Sequence, residues 1–177
     1  MSRVIDTLSE DFIEGYRLGY LAAITDGEGA ITITRSIKRR KRGTILRHRK
    51  YFGDHETVNY MAGIAISNDS VELLESTKSM IGEGKINPIQ DKRCNTYGLY
   101  IRKIEVVLRV LLDIQPYLLS DRKRRLCELV IEFCRSRLSK LEVDCGATYD
   151  EREVKIFWEV RELNSDSQGG KGIKWCE

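Results

Sequence analysis

Leu21-Ala22-Ala23-Ile24-Thr25-Asp26-Gly27-Glu28-Gly29 is the stretch from which the rest of the chain can be read. It sets small and apolar residues ahead of two acids, each followed by glycine. Upstream, Thr7 and Glu10 stand in capping-box spacing, and Phe12, Ile13, Tyr16, Tyr20, Ala23 and Ile24 recur at helical intervals. This predicts a helix from about Ser9 to Thr25. The two glycines permit a left-handed backbone, so Asp26 to Gly29 stops the helix and reverses the chain. Gly15, Gly19 and Ala23 fall at i, i+4 and i+8, with Ala22 beside them, and leave one stripe almost without side-chain bulk. Two copies could cross closely there, and that contact would offset the ~1 kcal/mol that each helical glycine costs. The same crossing would gather Asp26 and Glu28 from both copies. Clustered carboxylates repel unless a divalent cation lies between them, and oxygen donors that leave room for water suit Mg²⁺. In phosphodiester hydrolysis such a cation stabilises the attacking and leaving oxygens.

Beyond the turn, Ala30 to Thr34 alternates as a half-buried strand, with Ile31 and Ile33 on one face and Thr32 and Thr34 on the other. After a long connection, Tyr60 to Ser67 reads as a second strand. Asn68-Asp69-Ser70 then caps a helix through Ile81, with Leu73, Leu74, Thr77 and Ile81 on one side and Gly82 past its end. Lys85 to Gln90 and Thr96 to Ile101 form two strands joined by a polar turn. Lys103 to Asp113 is a short amphipathic helix, Pro116 opens a further segment, and Arg122 to Leu138 is a long helix with Leu126, Leu129, Val130 and Phe133 as its stripe. Thr148 and Glu151 make a second capping box before Val154, Phe157, Trp158 and Leu163. The order predicts an α+β fold: a four-stranded, mostly antiparallel sheet, helices gathered on one face, and an extra C-terminal helix. The uncovered face would carry Thr32, Thr34, Ser36, Lys38, Lys85, Asn87 and Tyr97. Such a face can lie in the DNA major groove and offer donors and acceptors to base edges.

The 177 residues, 41% of them hydrophobic and 32% charged, suit one domain over 1–177 and argue against a disordered chain. Its core is expected at about 9–138, a helical extension at 141–164 and a fraying tail at 165–177. No apolar run approaches the ~20 residues of a bilayer helix, so a soluble, intracellular protein without membrane partners is expected. The five cysteines (Cys94, Cys127, Cys134, Cys145 and Cys176) include no CxxC pair and read as reduced thiols, with Cys127 and Cys134 on one apolar helix face. His48 and His55 have no partner at ligand spacing and read as solvated. Nine of the 30 Lys and Arg residues lie between Arg35 and Lys50 with no acid among them, although the net charge is only +3. A cationic run on an otherwise acidic protein is a local device for holding a polyanion.

Residues 21–29 resemble the signature of the LAGLIDADG homing endonucleases, with identity at Leu21, Ala22, Asp26 and Gly29. The αββαββα order is similar to that family's core. Asn68-Asp69, the segment Ile81 to Ile86, and Pro116-Tyr117-Leu118 with Lys123-Arg124-Arg125 also resemble recurring features, so the likeness runs from about Phe12 to Phe133. The resemblance implies that Glu28 is the metal-binding acid, that the Gly27 carbonyl assists it, and that Asp26 supports the turn or joins the metal. Asn68 and Lys123 would order the surrounding waters. Ala23, Thr25 and Glu28 depart from the signature, and Ala23 widens the closest helix contact.

A single motif implies a homodimer through Gly15, Gly19, Ala22 and Ala23, and a near-palindromic double-stranded DNA target. The expected activity is Mg²⁺-dependent cleavage, with Mn²⁺ or Ca²⁺ able to occupy the same site, by an enzyme encoded in an intron or other mobile element. Arg40, Arg42, Arg47, Arg49 and Arg93 would join the sheet residues on DNA, and the basic run would extend the first strand pair to flanking phosphates. The alternative is a non-cleaving binder on the same scaffold, an RNA-splicing maturase or a transcription regulator, with RNA as partner. A catalytically silent structural dimer leaves the cationic run unexplained.

Overall fold

Isoleucine at alternate positions needs a covered face, and the helices of this chain supply it. The computed structural model describes residues 9–40, 45–46, 49–50, 55–89, 95–143 and 148–165. The elements are α1 (Glu10–Gly27), β1 (Gly29–Arg40), β2 (Ile45–Leu46), β3 (Arg49–Lys50), β4 (His55–Asn68), α2 (Val71–Ile81), β5 (Lys85–Pro88), β6 (Tyr97–Ile101), α3 (Ile104–Ile114), α4 (Asp121–Val143) and α5 (Glu151–Ser165). A 3-10 turn at Gln115–Tyr117 follows α3. The main sheet has the order β1-β4-β6-β5 with every pair antiparallel, and β2 and β3 make a separate two-stranded ribbon. The predicted α+β architecture is the observed one.

Register decides the two faces. Ile31 stands opposite Ile64, and Ile64 opposite Ile101; Ile66 stands opposite Leu99. These buried side chains meet Leu74 of α2, Val107 and Leu111 of α3, Leu126, Val130 and Phe133 of α4, and Ile156 and Val160 of α5 in one core. α3 is the most amphipathic helix, burying Val106, Val107, Val110, Leu111 and Ile114. Gly82, at φ 82°, ends α2 in the left-handed conformation, which a Cβ would disfavour.

Three details correct the sequence reading. The cap of α1 is Ser9, whose Oγ accepts the Phe12 N–H at 3.3 Å, because its extended backbone places the hydroxyl over the first turn; Thr7 lies outside the described residues. The second capping box is formed by Asp150 and Glu153, two residues later than Thr148 and Glu151. Asp150 Oδ1 accepts the Glu153 N–H at 2.8 Å, and Glu153 Oε2 accepts the Asp150 N–H at 3.0 Å. Third, β1 continues to Arg40 and β4 begins at His55, so strand pairing replaces much of the expected long connection. Lys and Arg are poor strand formers by composition, but Ile37 opposite Val58 and an uninterrupted backbone ladder carry the hairpin outward.

α4 is longer than expected at both ends, and α5 packs on α4 and β1. Asn164 of α5 donates from Nδ2 to the Ile31 carbonyl at 3.0 Å, tying the C-terminal helix to the central hairpin. Trp158 is half exposed, with the Arg161 guanidinium 5.4 Å from its ring centre. Cys94, Cys145, Cys176, His48, Trp175 and the tail beyond Ser165 lie outside the described residues.

Candidate nuclease site and nucleic-acid interface

The end of α1 is built around a close backbone approach. Glu28 N–H donates to the Ile24 carbonyl at 2.9 Å, and Ser67 N–H donates to the Glu28 carbonyl at 3.4 Å. A Cβ on Gly29 would stand 2.7 Å from both Cα and O of Thr25, so the signature's last glycine is required by space. Thr25 is buried, whereas Gly27 and the Glu28 side chain are exposed. The turn thus leaves Gly27 and Glu28, with its carboxylate, open to solvent.

Asp26 faces inward. Its Oδ2 accepts the Leu119 N–H at 2.7 Å, which fastens the helix end to the segment before α4, and its Oδ1 is buried without a partner among the described residues. That placement suits support of the turn. Lys123 reaches the same region from α4: its Nζ donates to the Gly29 carbonyl, and the residue is only 6% exposed. Burial holds this ammonium below its ordinary pKa, the nearby Arg122 charge adds to the effect, and Asp26 opposes it. Asn68 closes β4 beside Ser67, and its Oδ1 accepts the Ser70 N–H at 2.9 Å. Lys123 thus bonds the backbone next to Glu28, and Ser67, the neighbour of Asn68, bonds the Glu28 carbonyl.

The sheet face away from the helices carries Thr32, Thr34, Ser36 and Lys38 in β1, opposite Gly63, Met61, Asn59 and Thr57 of β4. Lys85 and Asn87 of β5 share this face. Tyr97 does not: it shares a face with Leu99 and Ile101 and packs against the core. Tyr100 takes the open position instead, opposite Ala65 and Lys85, with the Arg102 guanidinium 5.3 Å from its ring centre. Register was the signal that would have exchanged these two tyrosines, since a shift of one residue reverses a side chain's face. Arg39 pairs with Glu56 at 2.7 Å across the exposed hairpin. Arg40 and Arg49 are placed in strands by their backbones, while Arg42, Arg47 and Arg93 lie outside the described residues.

On α1, Gly15 and Ala23 are exposed and Gly19 is half-buried, with open space around a Cβ built on either glycine. Ala22 is a correction to the expected stripe. It is 1% exposed and belongs to the chain's own core with Leu21 and Ile24. Phe12 and Tyr16, 58% and 64% exposed, occupy the open side with Gly15, Gly19 and Ala23. These aromatic rings were read only as part of a helical period.

No family model matches the chain, and no curated protein matches it. Solved structures do. An archaeal intron-encoded homing endonuclease, I-Vdi141I, complexed with DNA, is similar with a TM-score of 0.62 at 20% identity over 96% of this chain and 91% of that one. The homing endonuclease I-CvuI, in complex with a DNA target in the presence of Mg, gives 0.59 at 14% identity over 92% and 88%. The LAGLIDADG meganuclease I-AabMI, bound to uncleaved DNA, gives 0.53 at 18% identity, over 81% of this chain and 43% of that one. With its five helices and four-stranded antiparallel sheet, the chain has the LAGLIDADG homing-endonuclease fold.

Proposed function

We propose that this chain is a site-specific, divalent-metal-dependent DNA endonuclease that acts as a homodimer on a near-palindromic duplex. The carrying observation is the turn after α1, where the exposed Glu28 carboxylate lies between an open helix face and an open polar sheet. The fold's likeness to structures complexed with DNA supports duplex DNA as the partner.

The donor set fits a hard cation in part. Glu28 and the Gly27 carbonyl are both oxygen donors, as Mg²⁺ prefers, yet the described residues of one protomer hold no group of three His, Cys, Asp or Glu able to bind a metal. Two turns brought together by crossing α1 helices would complete the set. Exposed Phe12 and Tyr16 beside Gly15, Gly19 and Ala23 give that crossing an apolar surface to cover. A cation held there supplies Lewis-acid stabilisation of charge on the scissile phosphate. Glu28 holds it, Gly27 assists, and Asn68 and Lys123 order neighbouring water through their remaining N–H donors.

The open sheet face reads bases while the basic hairpin neutralises phosphates, so affinity falls steeply with salt. The organisation proposed is one domain over 1–177, encoded within a mobile element. No helix among the described residues is long and apolar enough to cross a membrane. The test is Mg²⁺-dependent cutting of a randomised duplex library by the purified protein beside Glu28→Gln. One long, nearly palindromic sequence cut only by the unaltered protein is expected. Sequences enriched but never cut would instead support a non-cleaving binder, and RNA would then be the next ligand.

A further inference from the structure

Tyr149, in the segment between α4 and α5, ends against β4. Its hydroxyl accepts the Tyr60 N–H at 3.0 Å and stands 3.1 Å from the Tyr60 carbonyl, and it donates to Asn59 Oδ1 at 2.8 Å. The strand edge is open there because β6 pairs with β4 only from Ile64 to Asn68. The tyrosine is itself held on several sides. Its ring meets Tyr60 edge-on at 4.8 Å and stacks with Phe133 at 6.4 Å, and the Arg137 guanidinium lies 4.2 Å from its centre. Arg137 also donates to the Thr148 carbonyl at 3.2 Å. The hydroxyl's one proton has two acceptors in reach, Asn59 Oδ1 and the Tyr60 carbonyl, of which the carboxamide oxygen is the nearer.

Asn59 stands opposite Ser36, in the middle of the row of polar residues on the open sheet face. Its carboxamide carries an acceptor, Oδ1, and two N–H donors on Nδ2. Tyr149 engages the acceptor, and among the described residues no group accepts from Nδ2. We infer that Asn59 is a specificity-determining residue, pre-oriented by Tyr149 to lead with its Nδ2 donors, and that it selects guanine at one position of each half-site. This rests on the open sheet being the DNA-reading face.

The chemistry separates guanine from adenine. A free asparagine reads adenine in bidentate fashion, donating to N7 and accepting from N6. With one lone pair of Oδ1 taken by Tyr149 at the strand edge, only the second is left for adenine N6–H₂ and the bidentate fit to adenine is weakened. Guanine presents N7 and O6, two acceptors, to the same amide. Fixing the amide before binding also removes part of the ordering cost of the contact. Tyr149 is a positioning residue, since it acts through Asn59 alone.

The experiment is selection of bound sequences from a randomised duplex DNA library by the full-length protein, alongside Tyr149→Phe, Asn59→Asp and Asn59→Ala. The unaltered protein is expected to enrich guanine at one position per half-site. Tyr149→Phe keeps the ring and frees Oδ1, so the guanine-over-adenine preference there should fall about tenfold. Asn59→Asp, with one oxygen still on Tyr149 and the other an acceptor, should shift that position to cytosine, whose N4 donates. Asn59→Ala should abolish the preference and make Tyr149→Phe silent in the double variant. A purely structural Tyr149 would weaken all sequences alike and leave base preference unchanged, which would overturn the inference. So would adenine enrichment by the unaltered protein, or a selected site unchanged in Asn59→Ala. Failure to enrich any duplex would reject the DNA-binding reading itself and, with it, this inference.

Discussion

Lys123 Nζ donates to the carbonyl of Gly29 across 94 positions of sequence, joining the first turn of α4 to the strand that leaves the candidate site. The bond gives a buried cation its partner in the described protomer. Folding penalises the charged form, whereas the unfolded chain holds its proton up to the ordinary 10.5. Between the lowered folded pKa and 10.5 the unfolded state therefore binds more protons, and Lys123 adds stability as pH rises through that interval. Below it the penalty is fully present. Replacement by methionine removes the titration, so the stability difference between wild type and Lys123→Met should move in favour of wild type as pH rises. Urea unfolding of both proteins across neutral to alkaline pH measures it, and parallel profiles would refute the assignment.

Gly29→Ala should destabilise the chain by about 1–3 kcal/mol, because the added methyl would meet Thr25 Cα and O, backbone atoms without the freedom of a side chain end. Gly27→Ala is the control, with no heavy atom within 4 Å of its Cβ. A shift of the urea midpoint is expected for Gly29→Ala alone. Equal midpoints for the two variants would show that α1 can yield at Thr25.

Gly19→Ala should act in opposite directions on the protomer and on self-association. Open space surrounds the new Cβ, so the helix gains about 1 kcal/mol from replacing glycine. If two α1 helices cross at this stripe, the methyls widen the contact and the dimer weakens by about tenfold, a cost of the size expected for overpacking. Sedimentation over a dilution series reads association, and thermal melting of dilute protomers reads the gain. A stripe facing only water would give the gain without weaker association.

The turn was legible because Gly27, Glu28 and Gly29 end the helix and reverse the chain within one short stretch, Gly29 against Thr25 four residues before it. Helix and strand order followed from Ile31, Ile33, Leu74 and Leu126, whose periods reveal covered faces. What sequence did not reveal depends on partners distant in the chain. Ala22 and Ala23 are chemically identical, and only packing tells the buried one from the exposed one. Tyr97 and Tyr100 differ by pairing register. Asp26 can be assigned to the turn only once Leu119 is seen beside it. The long hairpin was hidden by cationic composition, which reports solvent exposure and says little about backbone pairing.

Cys127 and Cys134 are completely buried on α4, and burial pushes both thiols up to about 12, with Glu128 adding to the shift of Cys127. Cys127 also donates to the Leu111 carbonyl at 3.4 Å. At pH 8 the thiolate fraction is on the order of 10⁻⁴, so neither should react with an alkylating reagent while the protein is folded. Mass spectrometry of the modified peptides should show labelling that keeps pace with global unfolding. Rapid labelling of either residue at low denaturant would mean that α4 opens locally.

Glu153 is fully buried and serves two structures at once. Its carboxylate accepts from Lys140 at 2.9 Å and Ser136 at 2.9 Å, lies 3.8 Å from Arg137, and closes the capping box with the Asp150 N–H. Removing one partner of a buried charged network typically costs about 3–5 kcal/mol, since the remaining groups are stranded, so Glu153→Ala should be among the most damaging substitutions in α5. Lys140 retains Asp150 at 2.5 Å, which limits the loss to Arg137, Ser136 and the helix cap. Arg137 in turn supports Tyr149, whose hydroxyl holds the Tyr60 N–H. Hydrogen exchange should therefore quicken at the Tyr60 amide more than at Ile64, which lies deeper in the sheet between β1 and β6. Equal acceleration at both amides would place the effect in global unfolding and separate Glu153 from the hairpin.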